Sequence, residues 1–131
     1  MNIFYTERKI YYHHTDAGKV VYYGRYLDLL EEGRTDFCAN KGIDTAEYIK
    51  KGIEFPVVHF EIDYKAPARY GDTVRIYTYP EKIGNASVHF LQEIKKGEQI
   101  LIKSKIVWAC VRSGFKSIRV PDEIRQALLN E

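Results

Sequence analysis

The chain has 131 residues and a formal net charge of +2, from 20 basic and 18 acidic residues; 45% of its residues are hydrophobic and 29% are charged. That composition suits a single globular domain spanning 1–131 with a core of useful size, and it excludes a disordered chain. Both charge signs are spread along the sequence, so no basic stripe awaits nucleic acid, and no apolar run approaches a membrane span.

The opening stretch MNIFYTERKIYY lacks the apolar segment of a signal peptide, which makes a cytoplasmic location the expectation. From Ile3 to His14 apolar and polar residues roughly alternate, with many aromatic and β-branched types, and this predicts a strand. The period then changes. Tyr22, Tyr26, Leu29, Leu30, Gly33 and Phe37 recur at helical spacing, with Asp28, Glu31, Glu32, Thr35 and Asp36 between them, predicting a helix from Tyr22 to Lys41 that ends at Gly42. Gly33 inside that helix costs roughly 1 kcal/mol relative to alanine, so a close approach of helix to sheet is expected there.

Asp44 is placed to cap a short helix, TAEYIKKG. Four strand patterns follow: PVVHFEIDYKA, with Val58, Phe60, Ile62 and Tyr64 on one face; DTVRIYTYPEKI; ASVHFLQEIKK after a Gly84-Asn85 turn; and QILIKSKIVWACV after Gly97-Glu98. Pro121 and Asp122 open a terminal helix, DEIRQALLN. The order β-α-β-β-β-β is an α+β arrangement, in which one long helix packs across a curved antiparallel sheet. Exposed edges and a single layer pair make dimerisation the physical expectation.

The segment HHTDAGKVVYYGRYLDLLEEGRTDF holds the most distinctive candidate. Asp16 sits in the turn just upstream of the helix, whose first N–H groups lack helical partners and carry partial positive charge. A carboxylate on one side of a carbonyl and an N–H on its oxygen suit acyl transfer, although a plain turn or capping role for Asp16 fits the spacing too. His13 and His14 are adjacent on a predicted strand and point to opposite faces, so with Asp16 they do not predict a metal site. His59 and His89 fall on polar strand faces, and Cys38 and Cys110 lack CxxC spacing and read as reduced thiols. Lys65, Arg69, Arg112, Lys116 and Arg119 lie near turns, where they suit phosphate groups or ordinary solvated surface. Most of the 11 tyrosines alternate with polar residues, as sheet packing requires.

The run YYHHTDAGKVVYYGRYLDLLEEGRTDF resembles the signature of the hotdog-fold acyl-CoA thioesterases of the 4-hydroxybenzoyl-CoA thioesterase type, and is most similar to the YbgC-like branch associated with the Tol-Pal envelope system. Tyr12, Thr15, Asp16, Val20, Val21, Tyr22, Tyr26, Glu31, Arg34 and Thr35 fall in register, and DYKAPARYGDTV at 63–74 resembles a second family block. The resemblance implies a hotdog fold and hydrolysis of an acyl-CoA thioester to a free acid and coenzyme A, with no metal or redox cofactor. Asp16 matches the family's nucleophile or general base, the backbone N–H of Tyr23 the group that polarises the carbonyl, and Tyr12 an assisting tyrosine. Lys65, Arg69, Lys116 and Arg119 are then candidates for coenzyme A phosphates. Glu31 matches a glutamate that orients Arg34. The likeness also implies a homodimer with its sheets joined edge to edge and active sites at the interface, assembling into a homotetramer. This chain departs from the pattern at His14 (an aspartate in the family), Lys19 (a glycine), Tyr23 (the YbgC-like histidine) and Arg25 (an asparagine). A non-catalytic acyl-CoA-binding or envelope-associated module, and a hotdog hydratase or dehydratase, are the alternatives.

Overall fold

The computed structural model describes residues 3–129. Strand β1 (Tyr5–Lys9) leads through a 3₁₀ turn (Tyr12–His14) to helix α1 (Arg25–Asn40), and α2 (Thr45–Lys50) follows. Then come β2 (Ile53–Glu54), β3 (Val57–Tyr64), β4 (Thr73–Ile83), β5 (Ser87–Lys96), β6 (Gln99–Ala109), β7 (Val111–Arg112), β8 (Lys116–Ser117) and α3 (Asp122–Leu129). The main sheet has five strands in the order β1-β4-β5-β6-β3, every neighbouring pair antiparallel. The expected α+β arrangement is therefore present, with α1 packed on the sheet's inner face.

Strand parity sets that face. In β5, Val88, Phe90, Gln92 and Ile94 point inward and are buried, while His89, Leu91, Glu93 and Lys95 point away. From α1, Tyr26, Leu29, Leu30, Gly33, Phe37 and Cys38 meet the buried side of the sheet. Gly33 marks the closest approach, since a Cβ built there would lie 2.5 Å from Ile76 Cγ2 and 3.2 Å from Gln92 Nε2. Trp108 belongs to the core, edge-on to Phe90 at 4.8 Å and beside Phe55 at 5.4 Å.

Several expectations are corrected. The first strand stops at Lys9, because Ile10 turns into the core and is held by Asp72 and Gly71 (Ile10 N–H to Asp72 O, 2.8 Å; Gly71 N–H to Ile10 O, 2.9 Å). The main helix begins at Arg25 and not at Tyr22, which lies in the preceding turn and is exposed. Its end is as expected, with Gly42 at φ +82° just past the last turn. β3 does not pair with β4, its successor in sequence. Residues 65–72 carry the chain across so that β3 pairs with β6 at the far edge. On β3, Phe60 and Ile62 are half-buried, but Val58 and Tyr64 are exposed, and the pairing is irregular between Val57 and His59. Pro80 lies inside β4 beside an irregularity at Pro80/Lys82, beyond the stretch of β4 that pairs with β1, where β4 is open on that side. A small three-stranded sheet, β2-β7-β8, had no clear sequence signal. Asp44 caps α2 as expected, accepting from the N–H groups of Ala46 (3.0 Å) and Glu47 (3.4 Å). The terminal helix is present over Asp122–Leu129, and Asn130 lies outside the described residues.

Arg34 is only 4% exposed, and its Nη1 donates to Gln92 Oε1 at 3.0 Å. Glu31 is exposed and makes no ion pair with it, contrary to the expected orienting contact. Gln92 Nε2 donates in turn to Leu30 O and Thr78 Oγ1, each at 2.9 Å, so one amide ties helix to sheet. Burial lowers the Arg34 pKa to about 10, although the charge of Glu31 works the other way.

Candidate active site

The segment between β1 and α1 is shaped by its own backbone bonds. The N–H groups of His14 and Thr15 donate to Tyr11 O and Tyr12 O, each at 3.0 Å, closing the 3₁₀ turn. Asp16 then opens a tight turn: its N–H bonds Val20 O (3.0 Å), its carbonyl accepts from Lys19 N–H (2.9 Å), and its Oδ1 accepts from Gly18 N–H (2.8 Å). That last contact is the local turn that aspartate favours. Gly18 has little room for a side chain, since a Cβ there would lie 3.1 Å from Asp16 Oδ1. Asp16 is exposed, and its second oxygen makes no hydrogen bond among the described residues.

The lead-in to α1 is stitched to two places. Thr15 and Val21 form an isolated bridge, and Tyr22 N–H donates to His14 O at 2.9 Å. Val21 N–H donates to Ala68 O (2.9 Å), Ala68 N–H to the Tyr26 hydroxyl (2.9 Å), and the Tyr64 hydroxyl to Tyr23 O (3.3 Å). The two sequence blocks singled out above, 13–37 and 63–74, therefore meet physically. Between them lies a cleft of about 340 Å³ lined by Val21, Tyr23, Tyr26, Tyr64, Lys65, Ala66 and Pro67. The N–H groups of Tyr23 and Gly24, just before α1, have no acceptor among the described residues.

The predicted site residues divide accordingly. Tyr23 and Lys65 line the cleft, whereas Asp16 lies on the turn that leads to the cleft residue Val21 and does not line it within one chain. Tyr12 is 76% exposed and sits edge-on to Tyr70, with ring centroids 5.8 Å apart. Arg69 is on the loop after the cleft, its N–H bonded to Asp72. Lys116 lies in the small second sheet and Arg119 pairs with Asp122, so the structure does not join them to the cleft. His59 pairs with Glu61 at 2.8 Å on the exposed sheet edge, and His89 lies near Ser87 at 3.2 Å. Cys38 and Cys110 are buried.

Sheet packing does not account for the tyrosines as expected. Tyr11, Tyr12, Tyr22, Tyr23, Tyr64 and Tyr70 are all exposed, and ring contacts pair Tyr22 with Tyr23 at 4.6 Å and Tyr26 with Tyr64 at 5.7 Å. Their signal in the sequence was position, since they bracket Asp16 and the 63–74 block. The phenol of Tyr22 has its pKa raised by Tyr23 first, then by burial and the nearby charge of Asp16.

The thioesterase superfamily profile matches residues 18–103, about two thirds of the chain. The chain belongs to the thioesterase superfamily. The acyl-CoA thioesterase YbgC of Haemophilus influenzae is 30% identical over 121 residues, covering 91% of this chain and 89% of that protein. The putative acyl-CoA thioesterase YneP of Bacillus subtilis is 31% identical over 121 residues, covering 91% and 88%. The crystal structure of DHNA-CoA thioesterase from Staphylococcus aureus superposes with a TM-score of 0.89 at 26% identity, covering 94% of this chain and 86% of that one. The expected hotdog fold is thereby confirmed for this thioesterase-superfamily chain, which is identified as a thioester hydrolase. Among the described residues no helix is long and apolar enough to cross a membrane.

Proposed function

We propose that this chain hydrolyses an acyl-CoA thioester to the free acid and coenzyme A, with Asp16 as nucleophile or general base and the Tyr23 N–H as carbonyl polariser. The observation that carries the proposal is that Tyr23, a residue of the cleft wall, has an N–H without an acceptor among the described residues and is joined through Thr15, Val21 and Tyr22 to the turn that presents Asp16. The thioester carbonyl oxygen accepts from Tyr23 N–H. Asp16 either adds to the carbonyl carbon or takes a proton from a water that adds. Negative charge gathers on the carbonyl oxygen, where the oriented N–H stabilises it most. Collapse breaks the C–S bond and expels a thiolate, a good leaving group. Where Asp16 itself has added, a water then cleaves the resulting acyl anhydride, releasing the acid and restoring the carboxylate, so the reaction as proposed runs without a metal or redox cofactor. Tyr12 and Tyr70 stand near the same loop as candidate assisting and substrate-contacting groups, and Lys65 as a phosphate contact.

The same proposal includes a homodimer joined through β3, assembling into a homotetramer. β3 leaves its outer edge unpaired and exposes Val57, Val58 and Tyr64, which supports that edge as a contact and brings a second chain towards the cleft. A cytoplasmic location rests on the character of the opening stretch MNIFYTERKIYY, and a link to the Tol-Pal system on the YbgC-like likeness alone.

The test is thiol release over a panel of aliphatic and aromatic acyl-CoA substrates. Wild type is expected to release thiol, and Asp16→Asn to reduce kcat by about 10²-fold or more. Tight binding without release identifies a binding module, and enoyl hydration without release a hydratase. Full activity in Asp16→Asn removes Asp16 from the mechanism.

A further inference from the structure

The group closest in sequence to Asp16 that can change charge near neutrality is His14, and its side chain is not idle. Tyr11 N–H donates to His14 Nδ1 at 2.9 Å, while the His14 backbone donates to Tyr11 O (3.0 Å) and its carbonyl accepts from Tyr22 N–H (2.9 Å). His14 thus closes the 3₁₀ turn with its side chain and anchors the approach to α1 with its carbonyl, two residues before Asp16. A backbone N–H has only a proton to offer, so the ring must present a lone pair at Nδ1 and carry its hydrogen on Nε2.

We infer that neutral His14 is a positioning residue for the Asp16 turn, and that its protonation releases the turn and switches the site off at acid pH. The inference rests on the hydrolytic role proposed for Asp16. Protonation at Nδ1 replaces the acceptor with a second donor facing Tyr11 N–H, and the contact becomes repulsive. The turn then loses its side-chain hydrogen bond to Tyr11, and the strain passes along Thr15, which is tied to Tyr12 O through both N–H (3.0 Å) and Oγ1 (2.7 Å).

The surroundings hold the ring neutral at physiological pH. The His13 ring lies tilted against it with centroids 4.2 Å apart, and the Tyr11 ring, itself stacked on His13, lies at 6.0 Å. From α1, Arg25, Asp28 and Glu32 face it; Arg25 is paired with Asp28 (3.4 Å), and Glu32 with Arg8 of β1 (2.7 Å). Burial first, then His13 and Arg25, lower the His14 pKa below its usual value, against weaker opposing pulls from Glu32 and Asp28. A folded-state pKa below the unfolded one means that the neutral turn is favoured above about pH 6.5 and loses its advantage as pH falls through the lowered value.

The experiment compares wild type, His14→Asn and His14→Leu on two readouts: the pH profile of thiol release between pH 5 and 8, and the Tyr11 amide resonance over the same range. Asparagine keeps an oxygen acceptor that does not titrate; leucine keeps none. Wild type is expected to lose kcat about three- to tenfold on the acid side with KM little changed. His14→Asn is expected to keep its activity there, and His14→Leu to show the reduced kcat at every pH. The wild-type Tyr11 amide should titrate with the same midpoint as the His14 ring. An acid limb unchanged in His14→Asn overturns the inference while leaving the hydrolase reading intact. Absence of thiol release at all pH values overturns the hydrolase reading, and the amide titration then decides whether His14 governs the turn.

Discussion

Gly33→Ala tests whether helix α1 is seated as tightly as the structure has it. The added methyl would lie 2.5 Å from Ile76 Cγ2 and 3.2 Å from both Ile76 Cβ and Gln92 Nε2, where carbon atoms pack comfortably at about 3.5–4.0 Å. Neither neighbour can give way easily. Ile76 is fully buried in β4, and the Gln92 amide is fixed by Leu30 O, Thr78 and Arg34. Overpacking of this kind costs about 1–3 kcal/mol, and immobile neighbours place it near the top of that range. Alanine recovers roughly 1 kcal/mol through its better helix propensity. The net expectation is a loss of about 2 kcal/mol, or a fall of roughly 6–8 °C in Tm for a chain of this size. Urea unfolding followed through the single, buried Trp108 measures it. In an Ile76→Ala background the nearest clashing atom is gone, so the cost of Gly33→Ala should shrink by about 1 kcal/mol or more. A neutral or stabilising Gly33→Ala in the wild-type background would refute the close approach.

Gln92→Leu should be more damaging than its modest change of shape suggests. It strips the buried Arg34 guanidinium of its Gln92 partner and leaves Leu30 O and Thr78 without their donor, for an expected loss of about 2–4 kcal/mol in chemical denaturation. Adding Arg34→Met to it should restore part of that stability; strict additivity would count against a coupled network. The cysteines should be silent in the native protein, since burial pushes the Cys38 thiol up to about 12 and raises that of Cys110 as well. Iodoacetamide at pH 8 is expected to label neither until the chain is unfolded, and rapid labelling of Cys38 would contradict its burial on the sheet-facing side of α1.

The α+β arrangement was legible because its signals are periodic and local. Leu29, Leu30 and Phe37 announce a helix face, Val88, Phe90 and Ile94 a strand face, and Gly33 a close contact, and each lies where its pattern put it. What stayed hidden depends on long-range pairing. Nothing within VVHFEIDY reveals that β3 crosses to β6, and the two-residue strands β2, β7 and β8 are too short to leave a period. The start of α1 was misplaced because Tyr22 keeps the helical spacing while its N–H is taken by His14 O. At the site, the motif pointed to Asp16 and Tyr23, but the meeting of Val21, Tyr23 and Tyr26 with Tyr64 and Ala68 is a tertiary fact. The charged candidates at Lys116 and Arg119 had no more than loop positions to recommend them, and they fall elsewhere.

Lys19 adopts φ +63°, a left-handed backbone that a residue with a Cβ occupies at some cost. The conformation is imposed by the loop around it: Asp16 receives the Lys19 N–H and gives its own to Val20. The apex of the loop is therefore interchangeable in chemistry while its outline is not. Because those bonds run between backbone atoms, Lys19→Gly would relieve the left-handed cost and take one positive charge off the loop while leaving in place the bonds that fix its outline.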